Sequence, residues 1–140
     1  RAAIMAYIDS DPIVELPHHP REKRDRMRDA VLWQVEHMHE IPALVIACLE
    51  FSDAQANPGA AGGGGYVWPA VQNVLLAARA LGLGATPTTL GLRDRGAVKE
   101  ILHLPETVEA YALLPVGYPM GKFGPVTRLP VDETVHWDSW

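Results

Sequence analysis

The chain has 140 residues, the length of one ordinary domain. Hydrophobic residues make up 48% and charged residues 21%, values typical of a folded globular protein, so disorder along the whole length is excluded. Lys and Arg number 12 against 17 Asp and Glu, and the net charge of −5 excludes binding of nucleic acid or anionic lipid through bulk positive charge.

Apolar stretches are interrupted well before the roughly 20 residues that a membrane-spanning helix needs, so we expect no membrane partner. The single cysteine, Cys48, cannot form an internal disulfide and lies within an apolar run. We therefore predict a small buried side chain at this position rather than a nucleophile. One thiol fits a reducing compartment, and we expect a cytoplasmic protein.

The first half of the chain predicts one helix, one strand and one loop. Residues 9–20 are rich in proline and indicate an irregular connector. Apolar residues at helical spacing predict an amphipathic helix over residues 22–39. The continuous apolar run at residues 43–49 predicts a strand covered on both faces. Residues 52–65, with four consecutive glycines, predict a flexible surface loop. A phosphate-binding loop is not supported there, because no Gly-Lys-Ser/Thr follows.

The second half predicts two helices, a strand and a tail. Residues 69–81 form a helix that is apolar around most of its girth, which indicates burial on several sides or at a subunit contact. A shorter amphipathic helix follows at residues 93–102, and residues 108–115 predict a second buried strand. Residues 117–140 are rich in proline and predict an extended tail on another surface. Because two strands make no stable sheet, we expect further strands upstream of Arg1 or from a partner subunit.

The sequence shows no spacing of residues that is typical of a metal site or a catalytic triad. The six histidines show no metal-ligand spacing, so we predict solvated surface histidines and no metal site. No serine lies in an elbow motif that would indicate a catalytic triad. We therefore expect no catalytic side chain and treat residues 1–140 as a single domain.

Two features have both a plain and a functional interpretation. The hydroxyl-rich segment GATPTTLG at residues 84–91 is either a connector or a loop that presents backbone N–H groups to a planar ligand. Arg128, between Pro125 and Pro130, is either a solvated surface side chain or a guanidinium held on a stiff segment against a phosphate.

Three sequence elements occur in a recognisable order: the helix AVQNVLLAARALGLG, the loop ATPTTL, and LLPVGYP followed by a proline-flanked arginine. Together they resemble the C-terminal part of the nitroreductase-like, FMN-dependent flavoprotein family, over residues 22–140. The resemblance implies an α+β fold, a mixed sheet flanked by helices. It also implies a homodimer with FMN at the subunit interface, and NADH or NADPH as the electron donor.

The resemblance also implies the site residues. The loop would run along the isoalloxazine ring, with a backbone N–H near Thr88 or Thr89 directed at flavin N5 and Pro87 beside the ring. Arg128 would pair with the FMN phosphate. The cofactor-binding set is then Pro87, Thr88, Thr89, Leu90, Gly91 and Arg128, and the flavin itself carries the chemistry.

One departure from the family pattern concerns its N-terminal Arg/Ser phosphate-binding motif. Residues 21–24 lack the serine, so we expect that motif, with a helix and a strand, upstream of this chain. The function implied is electron transfer from NAD(P)H to nitro compounds, quinones or similar small electrophiles. Two alternatives remain: a non-catalytic flavin-binding or dimerisation module, and a specialised flavin-destroying or reductively dehalogenating relative.

Overall fold

The computed structural model describes residues 21–52, 64–124 and 128–139. Within these ranges the α-helices are α1 (Arg21–Glu36), α2 (Val67–Ala80) and α3 (Arg95–Leu102), and the strands are β1 (Ala43–Glu50), β2 (Gly84–Ala85) and β3 (Val108–Gly117). Short 3₁₀ helices lie at Met38–Glu40, Leu90–Leu92 and Val131–Glu133. The predicted connector at residues 9–20 and most of the glycine-rich loop lie outside the described residues.

The three strands form one antiparallel sheet in the order β1–β3–β2. β1 and β3 pair along their length, from Ala43 opposite Val116 to Glu50 opposite Val108, with a bulge between Ala47 and Cys48. Helices and an antiparallel sheet confirm the predicted α+β class. The third strand, which we expected from outside this chain, comes from the extended segment after α2.

The core lies between α2 and one face of the sheet. Val67 and Val71 of α2 pack against Ala112 and Leu114 of β3, and all four side chains are buried. Ala112 and Leu114 are two residues apart on the strand, and Val67 and Val71 are one helical turn apart, so each pair shares one face of its element. α2 therefore lies across the middle of β3.

Two predictions about β1 were wrong: that both of its faces are covered, and that Cys48 is buried. The apolar run does form a strand, but Leu44 and Val45 are 48% and 42% exposed, so the strand is not covered on both faces. β1 is an edge strand among the described residues, and an edge has fewer neighbours than a central strand. Cys48 is also exposed rather than buried, because it follows the bulge near the end of this edge strand. Partial desolvation of its thiol raises the pKa of Cys48.

The residues at the helix ends explain where α2 and α3 begin and end. α2 contains Pro69 in its first turn, where proline is tolerated, and ends before Gly82, whose φ of +76° suits glycine. Asp94 caps α3 by accepting a hydrogen bond from the Ala97 N–H at 3.0 Å. Lys99 of α3 contacts Glu109 of β3 at 2.8 Å. This ion pair links α3 to β3 of the sheet.

The tail after β3 contains no strand in its described parts, residues 118–124 and 128–139, and its side chains are exposed. The Arg79 guanidinium lies 3.7 Å from the centre of the Phe123 ring, which holds the start of the tail beside α2. Within the described ranges, we find no helix with both the length and the apolar character needed to span a bilayer.

Candidate functional site

The candidate site is the loop at residues 86–92, which leaves β2 and returns to the sheet once. Thr88 and Leu113 exchange two backbone hydrogen bonds: the Thr88 N–H donates to the Leu113 carbonyl at 2.8 Å, and the Leu113 N–H donates to the Thr88 carbonyl at 2.9 Å. β2 holds the other end of the loop through its pairing with β3. The loop is thus fixed to the central strand on both sides of Thr86 and Pro87.

The two amides predicted to face flavin N5 differ in their hydrogen bonds. The Thr88 N–H is already used by Leu113. The Thr89 N–H has no partner among the described residues, and Thr89 is exposed. A backbone donor left open at the surface is available to a ligand, since such groups are otherwise satisfied by protein or water. Of the two predicted amides, Thr89 is therefore the one that can bind a ligand.

A short 3₁₀ helix fixes the direction of that amide. Thr89 is the residue before Leu90–Leu92, and its carbonyl accepts a hydrogen bond from the Leu92 N–H at 3.0 Å. The Leu90 N–H approaches the Thr88 hydroxyl at 3.4 Å. Donors at the start of a helical turn point away from the turn, so the Thr89 N–H faces outward.

Pro87, Leu90 and Gly91 complete the predicted loop surface. Pro87 and Gly91 are exposed, and Leu90 is half-buried. A side chain at Gly91 would make only ordinary contact with Leu113, 3.8 Å from its Cδ2, so packing within the chain does not require glycine there. The exposed surface of the loop consists of backbone, a proline ring and threonine side chains, which suits a flat ligand.

No residue from 84 to 92 carries a titratable side chain. Groups of His, Cys, Asp or Glu that could hold a metal ion are also missing from the part of the chain that the structure describes. The loop can therefore bind and orient a ligand, but it cannot itself transfer protons or electrons. Its composition fits a cofactor that brings its own chemistry.

Arg128 lies in the tail and is exposed. Pro130 follows it and precedes the 3₁₀ helix Val131–Glu133, whereas Pro125 lies outside the described residues. The association of Arg128 with the loop rests on the resemblance alone.

Leu113 is the site residue that sequence reasoning missed. It anchors the loop through its backbone and contributes no functional side chain. The apolar pattern of residues 108–115 predicted the strand, but a pattern of single residues does not specify which partner each residue faces.

A model of the nitroreductase family matches residues 1–118, and the chain belongs to the nitroreductase family. This confirms the resemblance on which the site residues were predicted.

Three relatives define how far the similarity extends. A protein of Methanothermobacter thermautotrophicus, provisionally named an NADH dehydrogenase/NAD(P)H nitroreductase, is 39% identical over 74 residues, which are 51% of this chain and 38% of that protein. A Parabacteroides distasonis protein with the same provisional name has a TM-score of 0.58 and 25% identity, covering 100% of this chain and 68% of that one.

An iodotyrosine deiodinase, whose crystal structure contains FMN and 3-iodo-L-tyrosine, has a TM-score of 0.68 at 23% identity, covering 99% of this chain and 66% of that chain. At this identity the likeness shows the fold alone. The match thus spans less than half of the curated relative and about two thirds of the solved structures. The fold prediction is confirmed by these neighbours.

Proposed function

We propose that this chain belongs to an FMN-dependent oxidoreductase, and that residues 86–91 bind the flavin ring. The observation that carries the proposal is the Thr89 N–H, which is exposed and has no partner among the described residues. Membership of the nitroreductase family supports the assignment, and so does the FMN in the deiodinase structure.

Each residue of the loop has a distinct binding role in this proposal. The Thr89 N–H donates a hydrogen bond to flavin N5, and the Thr88–Leu113 pair keeps that amide in place. Pro87 packs beside the ring, and Leu90 and Gly91 continue the contact surface. Arg128 pairs with the phosphate as a charge-assisted donor. When bound, FMN supplies the transfer of hydride and electrons.

The electron donor in this proposal is NADH or NADPH, and the acceptors are nitro compounds, quinones or similar small electrophiles. The names of the M. thermautotrophicus and P. distasonis relatives support NAD(P)H and a nitro acceptor. The loop contributes no acid or base, so it does not itself supply the protons that accompany the electrons.

We further propose a homodimer with the flavin at the subunit interface. α2 supports it, because the helix exposes Trp68, Val74 and Leu76 on the sides that do not face the core, and Leu76 is 58% exposed. Trp68 and Leu76 are two helical turns apart on one side of α2, and exposed apolar side chains on one side of a helix indicate a contact surface. Leu76→Glu should yield a monomer by size-exclusion chromatography with light scattering. Ile101→Glu, which places the same charge at an apolar position on α3 that is 74% exposed, is the matched control.

A visible spectrum tests the proposed activity. The purified chain is mixed with FMN, passed through gel filtration, and titrated anaerobically with NADH or NADPH. A retained flavin band that bleaches, and returns on addition of a quinone or nitroaromatic acceptor, supports the oxidoreductase. A retained band that does not bleach supports the flavin-binding module instead. A colourless protein contradicts both for this chain.

A further inference from the structure

The start of the tail folds back over β2, the strand that leads into the loop at residues 86–92. Gly117, the last residue of β3, pairs with Gly84 of β2. Phe123 follows along the tail and lies near the same glycine: a Cβ at Gly84 would be 3.8 Å from Cζ of Phe123, and 3.5 Å from Cβ of Pro119. The chain therefore turns back after β3 and brings Phe123 beside β2.

Arg79 of α2 holds Phe123 in this position. The Arg79 guanidinium lies 3.7 Å from the centre of the Phe123 ring, well within the distance of about 6 Å at which a ring face attracts a cation. Phe123 is 45% exposed and Arg79 is exposed, so solvent weakens this contact without abolishing it. A cation–π contact at an exposed site favours the attached arrangement by about two- to fivefold. Phe123 thus attaches the tail to the fold five residues before Arg128.

The attachment shortens the length of chain between the fold and Arg128. Five residues separate Phe123 from Arg128, and they span at most about 18 Å. Without the attachment, the last residue paired in the sheet is Gly117, eleven residues before Arg128, and the span rises to about 40 Å. The effective concentration of a tethered group falls as about the −3/2 power of the tether length. The attachment therefore raises the effective concentration of Arg128 beside β2 about threefold, within the range that the cation–π contact can maintain.

We propose that Phe123, held by Arg79, is a positioning residue that keeps Arg128 near the flavin-binding loop. Gly84, beside which Phe123 lies, precedes the first residue of that loop by two positions, so the loop and the tail leave the fold from one place. Phe123 acts through Arg128, and therefore on the phosphate of FMN rather than on its ring. This inference rests on the proposed function, in which residues 86–91 bind the ring and Arg128 binds the phosphate.

Comparison of FMN with riboflavin, which has the same ring and ribityl chain without the phosphate, separates positioning of Arg128 from general damage to the fold. Phe123→Leu removes the aromatic ring but keeps an apolar side chain, whereas Phe123→Tyr keeps the ring. In flavin fluorescence titrations, Phe123→Leu should bind FMN about threefold more weakly and riboflavin as the wild type does. Phe123→Tyr should match the wild type with both flavins. Tyr118→Leu, a matched change at a tail position that is 84% exposed, should alter neither affinity.

A double variant tests whether the effect passes through Arg128. Arg128→Ala should by itself weaken FMN binding about thirtyfold, and adding Phe123→Leu should cause no further loss. Independent effects would instead multiply to about ninetyfold. Arg79→Met removes the cation from the other side of the contact and should reproduce the effect of Phe123→Leu. The contact also has a readout without flavin: the ring should shift the NMR signals of the Arg79 side chain upfield, and Phe123→Leu should abolish that shift.

The outcomes distinguish this inference from the proposed function. A wild-type chain that binds neither flavin contradicts the proposed function, and the role of Phe123 fails with it. If the wild type binds both flavins and Arg128→Ala weakens FMN alone, the proposed function stands. Phe123→Leu then overturns the inference by itself if it binds FMN as tightly as the wild type, or if it weakens FMN and riboflavin equally. Multiplied losses in the double variant also overturn it, because Phe123 would then act independently of Arg128.

Discussion

The Thr89 amide can be tested by changing a single backbone atom. Thr89→Ala keeps the N–H, and lactic acid at position 89 replaces it with oxygen while keeping the same methyl side chain. Thr89→Pro would also remove the N–H, but Thr89 has a φ of −116°, well outside the range near −65° that proline adopts. The ester therefore removes the donor without moving the backbone.

The expected magnitude follows from the surroundings of the amide. Thr89 is exposed, so its hydrogen bond to the flavin replaces one to water, and the net contribution is about 1 kcal/mol. That difference corresponds to about a fivefold weaker FMN affinity for the ester than for Thr89→Ala. The Thr89 side chain caps no helix. Thr89→Ala should therefore bind FMN as the wild type does, within about twofold.

Flavin fluorescence titration gives the two dissociation constants, and anaerobic stopped-flow absorbance gives the rate of reduction by NADPH. The ester also weakens the carbonyl of Thr88, which accepts the Leu113 N–H at 2.9 Å. Hydrogen exchange of the Leu113 amide measures that side effect in both variants. Equal affinities and equal reduction rates for alanine and ester would refute a role for the Thr89 amide.

Three further predictions concern the core, the phosphate contact and the α3 ion pair. Leu114 is 1% exposed within the core, so Leu114→Ala should lower the free energy of unfolding in urea by about 2–5 kcal/mol. Arg128→Ala should weaken FMN binding by about 2 kcal/mol, or about thirtyfold, measured by flavin retention and titration. The hydrogen bond to Glu109 raises the pKa of Lys99 above 10.5. A raised lysine pKa stabilises the fold fully below the unfolded value, and this contribution is lost as the pH rises through the folded value. Lys99→Met should therefore lower the melting temperature below pH 10.5, and the difference from the wild type should disappear as the pH rises through the raised pKa.

Matched variants control each of these measurements. Ile101→Ala, at a position that is 74% exposed, should change unfolding by less than about 1 kcal/mol. Arg26→Ala, on the exposed side of α1, should leave FMN retention unchanged, and a loss there equal to that of Arg128→Ala would indicate a nonspecific charge effect. Lys122→Met, in the exposed tail, should show no pH-dependent change in melting temperature.

The sequence predicted the elements because their causes are local. Apolar spacing predicted a helix at residues 69–81, and α2 runs Val67–Ala80 with Gly82 after its end. Residues 93–102 likewise contain α3, capped by Asp94. Backbone preference, capping and periodicity act within a few residues, so they can be recognised without knowing the fold.

Contacts between segments that are distant in the chain could not be predicted from the sequence in this way. Gly64 lies in the glycine-rich segment 52–65, which was predicted only to be a flexible loop, yet a Cβ there would lie 2.6 Å from Cε1 of Tyr111. That glycine is needed where the backbone passes close to the ring. The exposure of Cys48 likewise depends on a bulge and on the place of β1 at the edge of the sheet that the described residues form, neither of which apolar composition predicts.

For the candidate site too, some features could be predicted from the sequence and others only from the tertiary structure. The sequence alone determined the helices, the strands, the α+β class and, through its motifs, the nitroreductase family. Only the tertiary structure decided which amide of the loop has no partner among the described residues, because that depends on the register that places Thr88 opposite Leu113. Register is set by pairing between segments far apart in the chain, and a single sequence specifies each segment without specifying how the two align.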